Sequence, residues 1–387
     1  MPSRAVILTV LAVLGLLHAY IGVRLIPAAS LPAWGSIAAW LALTASWLLI
    51  PLGLLARLFS SRALADRLAW VGLTTLGLFS SLLVLCLARE LILELMKLAG
   101  QASPAWVTDS ALAVPVLALL VTLAGLVNAR RLARVVTVEI PFAGLPAGLE
   151  GFTIVQLSDI HLGPTIKGAY LERVVARVNA LQPDLVAITG DLVDGSVAQL
   201  AADVLPLTRL QSCHGSFFVT GNHEYYAGAK PWIAELRRLG IRVLMNEHVE
   251  IRHGEASLVL AGVSDYTAHL FEPEQRSDPQ AAIAGAPADA ALRVLLAHQP
   301  RSAAAAAAAG FDLLLSGHTH GGQFLPWNLF VPLQQPFVAG LYRLQALWVY
   351  VSRGTGYWGP PKRFCAPAEI TCLRLVRTSD TSPPLDP

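Results

Sequence analysis

The chain has 387 residues and a formal net charge of +2, and 14% of its residues are charged. Its mean hydropathy of +0.56 excludes an ordinary soluble protein throughout, and its length is sufficient for two domains. The small net charge argues neither for nor against nucleic acid, and we expect no nucleic-acid partner.

The apolar residues are concentrated in the first third of the chain. Four stretches there have the length of about 20 residues that spans a bilayer. They lie at about residues 5–26, 37–55, 68–87 and 111–127. We therefore predict a transmembrane region of four helices at residues 1–130. An alternative for residues 1–30 is a cleaved signal peptide, because Arg4, an apolar core and Ala28-Ala29-Ser30 resemble one.

Basic residues in the connections between spans predict the orientation, because cytoplasmic connections are richer in Lys and Arg. One side carries seven of them: Arg4, Arg57, Arg62, Arg67, Arg130, Arg131 and Arg134. The other side carries three: Arg24, Arg89 and Lys97. The richer side is predicted to be cytoplasmic, which places both termini and the C-terminal domain in the cytoplasm. Losing residues 1–30 would leave that domain on the same side.

The remainder of the chain has the pattern of a globular α/β domain at residues 151–377, because short β-rich runs alternate with helical stretches. The predicted strands are Thr153–Leu157, Leu185–Thr189, Phe217–Thr220, Arg242–Met245, Leu258–Val263, Val294–Ala297, Leu313–Ser316, Trp348–Val351 and Ile370–Leu375. The predicted helices are Ala169–Leu181, Val197–Leu210, Lys230–Leu239 and Arg301–Ala309. Residues 131–150, with Pro141 and Pro146, are predicted to be a linker, and the proline-rich residues 378–387 a disordered tail.

Polar motifs follow five of the predicted strands. In chain order they are Asp159-x-His161, Gly190-Asp191 with Asp194, Gly221-Asn222-His223-Glu224, His298 and Gly317-His318-Thr319-His320. D-x-H and G-D alone are weak because they arise by chance, whereas G-N-H-E is fairly specific and G-H-T-H-G-G rarely arises by chance. Together they place metal-ligand residues at five strand ends, and Asp, His and Asn form the ligand set of two-metal hydrolytic sites.

Elementary chemistry suggests a part for several of these residues. Residues two apart at a strand end share a side, so Asp159 and His161 can bind one ion. The Asp191 carboxylate can bridge two cations, and Asn222 offers a neutral carbonyl ligand. His223 is a candidate proton donor, and Asp194 can accept a hydrogen bond from a nearby imidazole.

The motif order resembles that of the calcineurin-like metallophosphoesterase superfamily, D-x-H, G-D-x-x-D, G-N-H-[DE], H and G-H-x-H, over about residues 152–375. Residues 350–375 resemble its bacterial membrane-associated branch. The resemblance implies an α/β fold, a four-layer αββα sandwich, which here follows the four-span helical region. It also implies two divalent metal ions, for which we expect Mn²⁺, with Fe or Zn²⁺ as alternatives.

The resemblance further implies a role for each motif residue. One ion would be held by Asp159, His161, Asp191 and His320. The other would be held by Asp191, Asn222, His298 and His318. His223 would protonate the leaving group as the general acid, and Asp194 would orient its imidazole.

Several residues outside the motifs are further candidates. Three basic residues could clamp a phosphate or form a solvated basic loop: Arg353, Lys362 and Arg363. Five aromatic residues could contact an acyl chain or the membrane interface, although core packing is favoured: Phe324, Trp327, Phe330, Trp348 and Trp358. His18 in the first span is expected to make an interhelical contact rather than to relay protons.

These observations predict a membrane-anchored phosphoesterase in which metal-activated hydroxide attacks a phosphodiester or pyrophosphate bond. The tether favours a lipid-linked substrate and contact with membrane lipids. We expect the bacterial inner membrane, with the catalytic domain facing the cytoplasm. A narrower alternative is a UDP-2,3-diacylglucosamine pyrophosphohydrolase of lipid A synthesis. A non-catalytic scaffold should lack ligands, and a transporter should carry paired ionisable residues in its spans, where this sequence offers His18.

Overall fold

The computed structural model of the chain describes residues 4–59, 61–101 and 103–378, which divide into two compact units. The helical unit contains the chain up to Arg130 together with the separate segment Gly359–Phe364. The α/β unit contains the rest of the described chain from Arg131 onwards. A short segment from the second half of the sequence therefore belongs to the helical unit.

The helical unit is built from four long helices. They are α1 (Arg4–Leu25), α2 (Ala33–Leu54), α3 (Arg62–Leu98) and α4 (Pro104–Arg130). All four are long and apolar enough to cross a membrane, which confirms the four predicted spans. Helices α3 and α4 are longer than their predicted spans, because the helical backbone continues into charged ends that an apolar pattern leaves out.

Small residues and one histidine join the helices of this unit. A Cβ atom at Gly53 of α2 would lie 2.6 Å from Cα of Gly72 in α3, so the two backbones approach closely where neither residue has a side chain. His18 Nε2 of α1 lies 2.9 Å from Ser46 Oγ of α2, which confirms the predicted interhelical contact.

The segment Gly359–Phe364 is held by α3 and α4. The ammonium group of Lys362 donates to the backbone oxygen of Gly77 at 3.1 Å and to the hydroxyl oxygen of Ser81. The backbone N–H of Arg363 donates to the oxygen of Gly125 at 2.9 Å. A Cβ atom at Gly125 would lie 2.6 Å from Cγ of Lys362, so the glycine makes room for the lysine stem.

The α/β unit contains two six-stranded sheets within the described residues. Its strands are β1 (Arg134–Ala143), β2 (Thr153–Leu157), β3 (Leu185–Ile188), β4 (Ser216–Phe218), β5 (Arg242–Val243), β6 (Glu247–His253), β7 (Ala256–Gly262), β8 (Leu292–Leu296), β9 (Leu313–Ser316), β10 (Gly340–Leu344), β11 (Leu347–Val351) and β12 (Glu369–Thr378). Its helices are α5 (Gly168–Asn179), α6 (Val197–Val204), α7 (Asn222–Ala227), α8 (Ala229–Arg238), α9 (Pro279–Ile283) and α10 (Ala303–Ala308).

The strand order is β1-β12-β2-β3-β4-β5 in one sheet and β10-β11-β9-β8-β7-β6 in the other. Strands β2, β3, β4 and β5 run parallel, as do β7, β8, β9 and β11. The two sheets share one apolar core, to which both contribute fully buried side chains such as Ile154 and Leu313. On the outer face of the second sheet, helical alanines such as Ala306 pack against Val349. The αββα fold class is confirmed.

One predicted boundary is wrong. Most of the predicted linker 131–150 is strand β1, which pairs in parallel with β12 from Arg134 opposite Glu369 onwards. The strand lies at the edge of its sheet, where Pro141 is tolerated because one side of an edge strand needs no N–H donor. The predicted tail 378–387 lies, apart from Thr378, outside the described residues.

The other differences in the α/β unit are smaller. Strands β6 and β10, at the far edges of the second sheet, were not predicted, because their polar alternation is that of surface segments. The predicted helix at residues 197–210 ends at Val204 and continues as a 3-10 turn at Leu205–Arg209. Pro206, which lacks an N–H, accounts for the change of helix type.

Candidate metal centre

The predicted ligands converge in space. Three groups of side chains place their ligand atoms within 4.8 Å of one another. The groups are Asp159 with His161 and His320, His161 with Asp194 and His223, and Asp191 with His298 and His318. Eight of the nine motif residues belong to these groups, and the ninth, Asn222, directly precedes His223 in the chain.

The cluster forms where five strands end. Its residues follow β2, β3 and β4 in one sheet and β8 and β9 in the other. Within each sheet these strands are parallel neighbours, so their carboxyl ends lie at the same edge. The apolar runs place the strands in the core, and the polar residues then fall where each run stops.

Left-handed backbone turns direct the side chains. Five of the predicted ligands have a positive φ angle: Asp159 at 53°, His161 at 54°, Asp191 at 51°, His318 at 70° and His320 at 52°. This conformation is unfavourable for residues with a Cβ atom, and it clusters at functional sites. Asp159 and His161 therefore join one group through left-handed turns rather than through strand alternation, whereas His318 and His320 belong to different groups.

Two glycines are required by close contacts at these turns. Gly190 has a φ of +87°, and a Cβ atom there would lie 2.6 Å from the backbone nitrogen of Gly221. At Gly317 a Cβ atom would lie 1.9 Å from Ser158 Oγ and 2.2 Å from Asp159 Oδ2. Any side chain at either position would displace the neighbouring motif.

In the first group, lone pairs of ring nitrogens and carboxylate oxygens face one another. His161 donates from Nδ1 to Asp194 Oδ1 at 2.9 Å, which leaves its Nε2 as a lone-pair atom. That Nε2 lies 3.1 Å from Nε2 of His320 and 3.8 Å from Asp191 Oδ2. Nε2 of His320 lies 3.4 Å from Asp159 Oδ1. A cation among these atoms would satisfy all of them at once.

The second group has the same character. His298 donates from Nδ1 to the backbone oxygen of Thr189 at 2.7 Å, so its Nε2 carries the lone pair when the ring is neutral. Nε2 of His298 lies 3.2 Å from both His318 Nδ1 and Asp191 Oδ2. The amide oxygen of Asn222 is buried and has no hydrogen-bond partner among the described residues. Since Asp191 approaches both groups, its carboxylate is placed to bridge two ions.

The electrostatics of the cluster favour positive charge. Burial would raise the pKa of Asp191, but the neighbouring His298 and His223 hold it well below its ordinary value. Burial likewise opposes charging of His298, yet Asp191 raises its pKa well above normal. Burial and the nearby His298 lower the pKa of His318 to about 4. A nitrogen and oxygen donor set without thiolates fits divalent cations such as Mn²⁺, Fe²⁺ or Zn²⁺.

His223 is held as a proton donor beside the cluster. Its Nδ1 donates to Asp194 Oδ1 at 2.6 Å, and its Nε2 lies 3.9 Å from Asp191 Oδ2. Burial opposes the charged imidazolium, but the Asp191 and Asp194 carboxylates outweigh burial and raise the pKa of His223 to about 9. Burial would raise the pKa of Asp194, but its interactions with His161 and His223 lower that pKa to about 2. One oxygen of Asp194 thus orients both imidazoles.

Glu224 has a part that sequence reasoning missed. Its buried carboxylate accepts backbone N–H bonds from Gly221 at 2.7 Å, Leu192 at 2.8 Å and Asp191 at 3.0 Å. These bonds fix the turn that carries the bridging Asp191 and tie it to the turn that carries Asn222. The G-N-H-E motif could have indicated this part of Glu224. A glutamate next to two site residues is expected to be buried, and a buried carboxylate needs hydrogen-bond partners.

The three predicted phosphate-clamp residues belong to different units. Arg353 is partly exposed, and its Nη1 lies 3.2 Å from the buried Glu369 Oε2. A Cβ atom at Gly321, next to His320, would lie 3.1 Å from Cγ of Arg353, so this arginine is close to the cluster. Lys362 and Arg363 are buried in the helical unit, and the Lys362 ammonium donates to α3. A phosphate contact by these two residues therefore stays a prediction, and their observed polar partners lie in the helical unit.

The five aromatic candidates divide into two sets. Phe324 and Trp348 are buried, as core packing predicts, whereas Trp327, Phe330 and Trp358 are exposed. The rings of Trp358 and His223 contact edge to face, with their centroids 5.7 Å apart. Core packing is therefore the wrong interpretation for three of the five.

Comparison with known proteins agrees with this geometry. Residues 152–322 match the calcineurin-like phosphoesterase family. A zebrafish "transmembrane protein with metallophosphoesterase domain" is 42% identical over 272 residues, which cover 67% of this chain and 62% of that protein. The relative from cattle with the same name is also covered over 62% of its length, so the chain spans less than two thirds of these two relatives.

Two bacterial relatives are covered more fully. An uncharacterized metallophosphoesterase of Campylobacter jejuni is 35% identical over 272 residues, which cover 68% of this chain and 69% of that protein. One from Aquifex aeolicus is 34% identical over 233 residues, which cover 60% of this chain and 87% of that protein. Since fish and cattle also have relatives, the expected restriction to a bacterial branch is too narrow. The chain belongs to the calcineurin-like metallophosphoesterase family, and its four long apolar helices support a membrane protein.

Proposed function

We propose that this protein hydrolyses a phosphodiester or pyrophosphate bond of a lipid-linked substrate at the cytoplasmic face of a membrane, the inner membrane in a bacterium. The observation that carries the proposal is the convergence of six predicted ligands with the His223–Asp194 pair in a chain with four membrane-spanning helices. The helices keep the enzyme at the surface where such a substrate lies.

The residues of the cluster have separate parts in the proposed reaction. Asp159, His161 and His320 would hold one ion with Asp191, and His298, His318 and Asn222 would hold the other. Two bound divalent ions, for which we favour Mn²⁺, would neutralise phosphate charge and supply hydroxide at neutral pH.

His223 would act as the general acid. It would donate the proton on Nε2 to the leaving oxygen while Asp194 holds Nδ1 and stabilises the charged ring. Arg353, which is partly exposed next to Gly321, is our candidate for a contact with the substrate phosphate.

Hydrolysis by the purified full chain tests this proposal. With Mn²⁺ present, the protein should cleave a chromogenic phosphodiester, and Asp191→Asn should abolish cleavage because both groups lose their shared ligand. The exposed Asp289→Asn is the matched control and should retain activity. A protein that binds two metal ions per chain yet cleaves no phosphodiester or pyrophosphate would support a non-catalytic scaffold instead.

Lipid A synthesis gives one narrower candidate for the substrate, UDP-2,3-diacylglucosamine. Its pyrophosphate bond and acyl chains match the proposed chemistry, and a complementation test decides it. Cells depleted of that pyrophosphohydrolase should grow when they express the wild-type chain and should not grow with Asp191→Asn. Failure of the active wild-type chain to restore growth would remove this substrate and leave the phosphoesterase proposal intact.

A further inference from the structure

We propose that an apolar rim beside the metal centre inserts into the surface of the lipid bilayer. The rim comprises exposed side chains of the α/β unit, which we define as Tyr226, Phe271, Trp327, Leu329, Leu333 and Trp358. Leu329 and Leu333 are 69% and 80% exposed. Apolar side chains grouped in this way on a protein surface mark an interaction site.

Direct contacts make the rim continuous with the site. The Phe271 and Tyr226 rings lie 5.6 Å apart, and Tyr226 lies 5.1 Å from His223. On its other side His223 contacts Trp358 at 5.7 Å. Trp358 exchanges two hydrogen bonds with Gln323, of 2.8 and 2.9 Å, at the start of the stretch that carries the remaining rim residues. The candidate general acid thus lies within the rim.

The composition of the longest rim stretch fits lipid. Residues 324–335, FLPWNLFVPLQQ, contain no charged side chain. Two short 3-10 turns, Trp327–Leu329 and Val331–Leu333, expose several of its large apolar residues. Trp, Phe and Leu with polar amides are typical of segments that lie in the membrane interface.

The chain itself keeps a bilayer within reach of the rim. Helix α4 ends at Arg130 and β1 begins at Arg134, so the tether to a membrane-spanning helix is very short. Trp358 is bonded directly to Gly359, whose segment belongs to the helical unit. A lipid surface is therefore the partner that this rim meets at the highest effective concentration.

Insertion has a consequence for the reaction, and this part of the inference rests on the proposed function. With the rim in the interface, the acyl chains of a substrate remain in the bilayer while its headgroup phosphate reaches the metal centre. The substrate class is then a membrane lipid that carries a phosphodiester or pyrophosphate.

Site-specific fluorescence on the full chain in nanodiscs of phosphatidylcholine and phosphatidylglycerol tests the insertion. Cys213, Cys365 and Cys372 are replaced by serine, and an environment-sensitive dye is attached at Leu329→Cys or Leu333→Cys. The matched control is Leu205→Cys, an exposed leucine outside the rim. Nitroxide lipids should quench the rim labels roughly threefold more strongly than the control, because interfacial segments lie about 5–10 Å into the headgroup and acyl boundary.

Equal quenching at the rim and control positions would overturn the proposal. So would shielding of the rim labels that appears only as the protein concentration rises, since that result indicates a second copy of the chain. The measurement needs no turnover, so its failure is distinguishable from a failure of the proposed hydrolysis. An enzyme that cleaves soluble diesters but shows no lipid quenching would retain the reaction and lose the docking surface.

Discussion

Asp194→Asn is expected to weaken both metal binding and catalysis, whereas His223→Asn should reduce catalysis alone. A single oxygen, Oδ1 of Asp194, accepts from Nδ1 of His161 at 2.9 Å and from Nδ1 of His223 at 2.6 Å. His161 is a predicted metal ligand and His223 is the candidate acid. Asparagine at position 194 offers a neutral acceptor, so both bonds lose the negative charge of the acceptor.

The expected size of each effect follows from the energies of hydrogen bonds to charged and to neutral groups. A hydrogen bond to a charged group contributes about 1.5–3 kcal/mol, against about 0.5–1.5 for a neutral one, so each bond weakens by roughly 1–1.5 kcal/mol. For His161 this corresponds to a loss of metal affinity of about tenfold, within the range of 10–100-fold for partners of metal ligands. For His223, loss of an oriented acid should lower kcat by roughly 10²-fold or more.

Two assays on the full chain in nanodiscs measure these effects. Mn²⁺ affinity is measured by calorimetry, and kcat by cleavage of a chromogenic diester, with Asp289→Asn as the matched control. Removing the Asp194 charge also lowers the pKa of His223, which that charge helps to raise to about 9. His223 then loses its proton at a lower pH, so the alkaline limb of the plot of kcat against pH should shift to lower pH. Equal metal affinity in the Asp194 and His223 variants would refute the shared-oxygen interpretation.

Three further perturbations have defined outcomes. Glu224→Gln places an amide N–H against backbone N–H donors, so at least one charged hydrogen bond of about 1.5–3 kcal/mol is lost. The thermal stability of the metal-loaded protein should fall, and it should fall less in Glu224→Asp. Lys362→Met should lower the melting temperature and leave KM unchanged, because the lysine bonds to α3, whereas Arg353→Met should raise KM. Chelation should abolish activity and destabilise the protein by about 2.7 kcal/mol, relative to metal at 100 times its Kd, and added Mn²⁺ should restore both.

The sequence by itself determined the four spans, the α/β class and the identity of the clustered residues. The reason is local: apolar runs of spanning length, and apolar runs that stop at a polar motif, can be recognised without knowing their neighbours. Strands β2 and β9 have the predicted bounds because each is a short, mainly apolar run that ends at a glycine or polar motif. Parallel pairing then brings their ends together.

The tertiary structure decided what depends on partners distant in the chain. Strand β1 exists because β12 pairs with it, and its own sequence, with Pro141, is that of a linker. Glu224 holds two turns together only because four backbone N–H groups converge on its carboxylate. Lys362 is part of the helical unit because α3 supplies acceptors for its ammonium group. The local sequence allows each of these residues several conformations and partners. Burial among particular neighbours determines which one is adopted, and a linear pattern does not encode those neighbours.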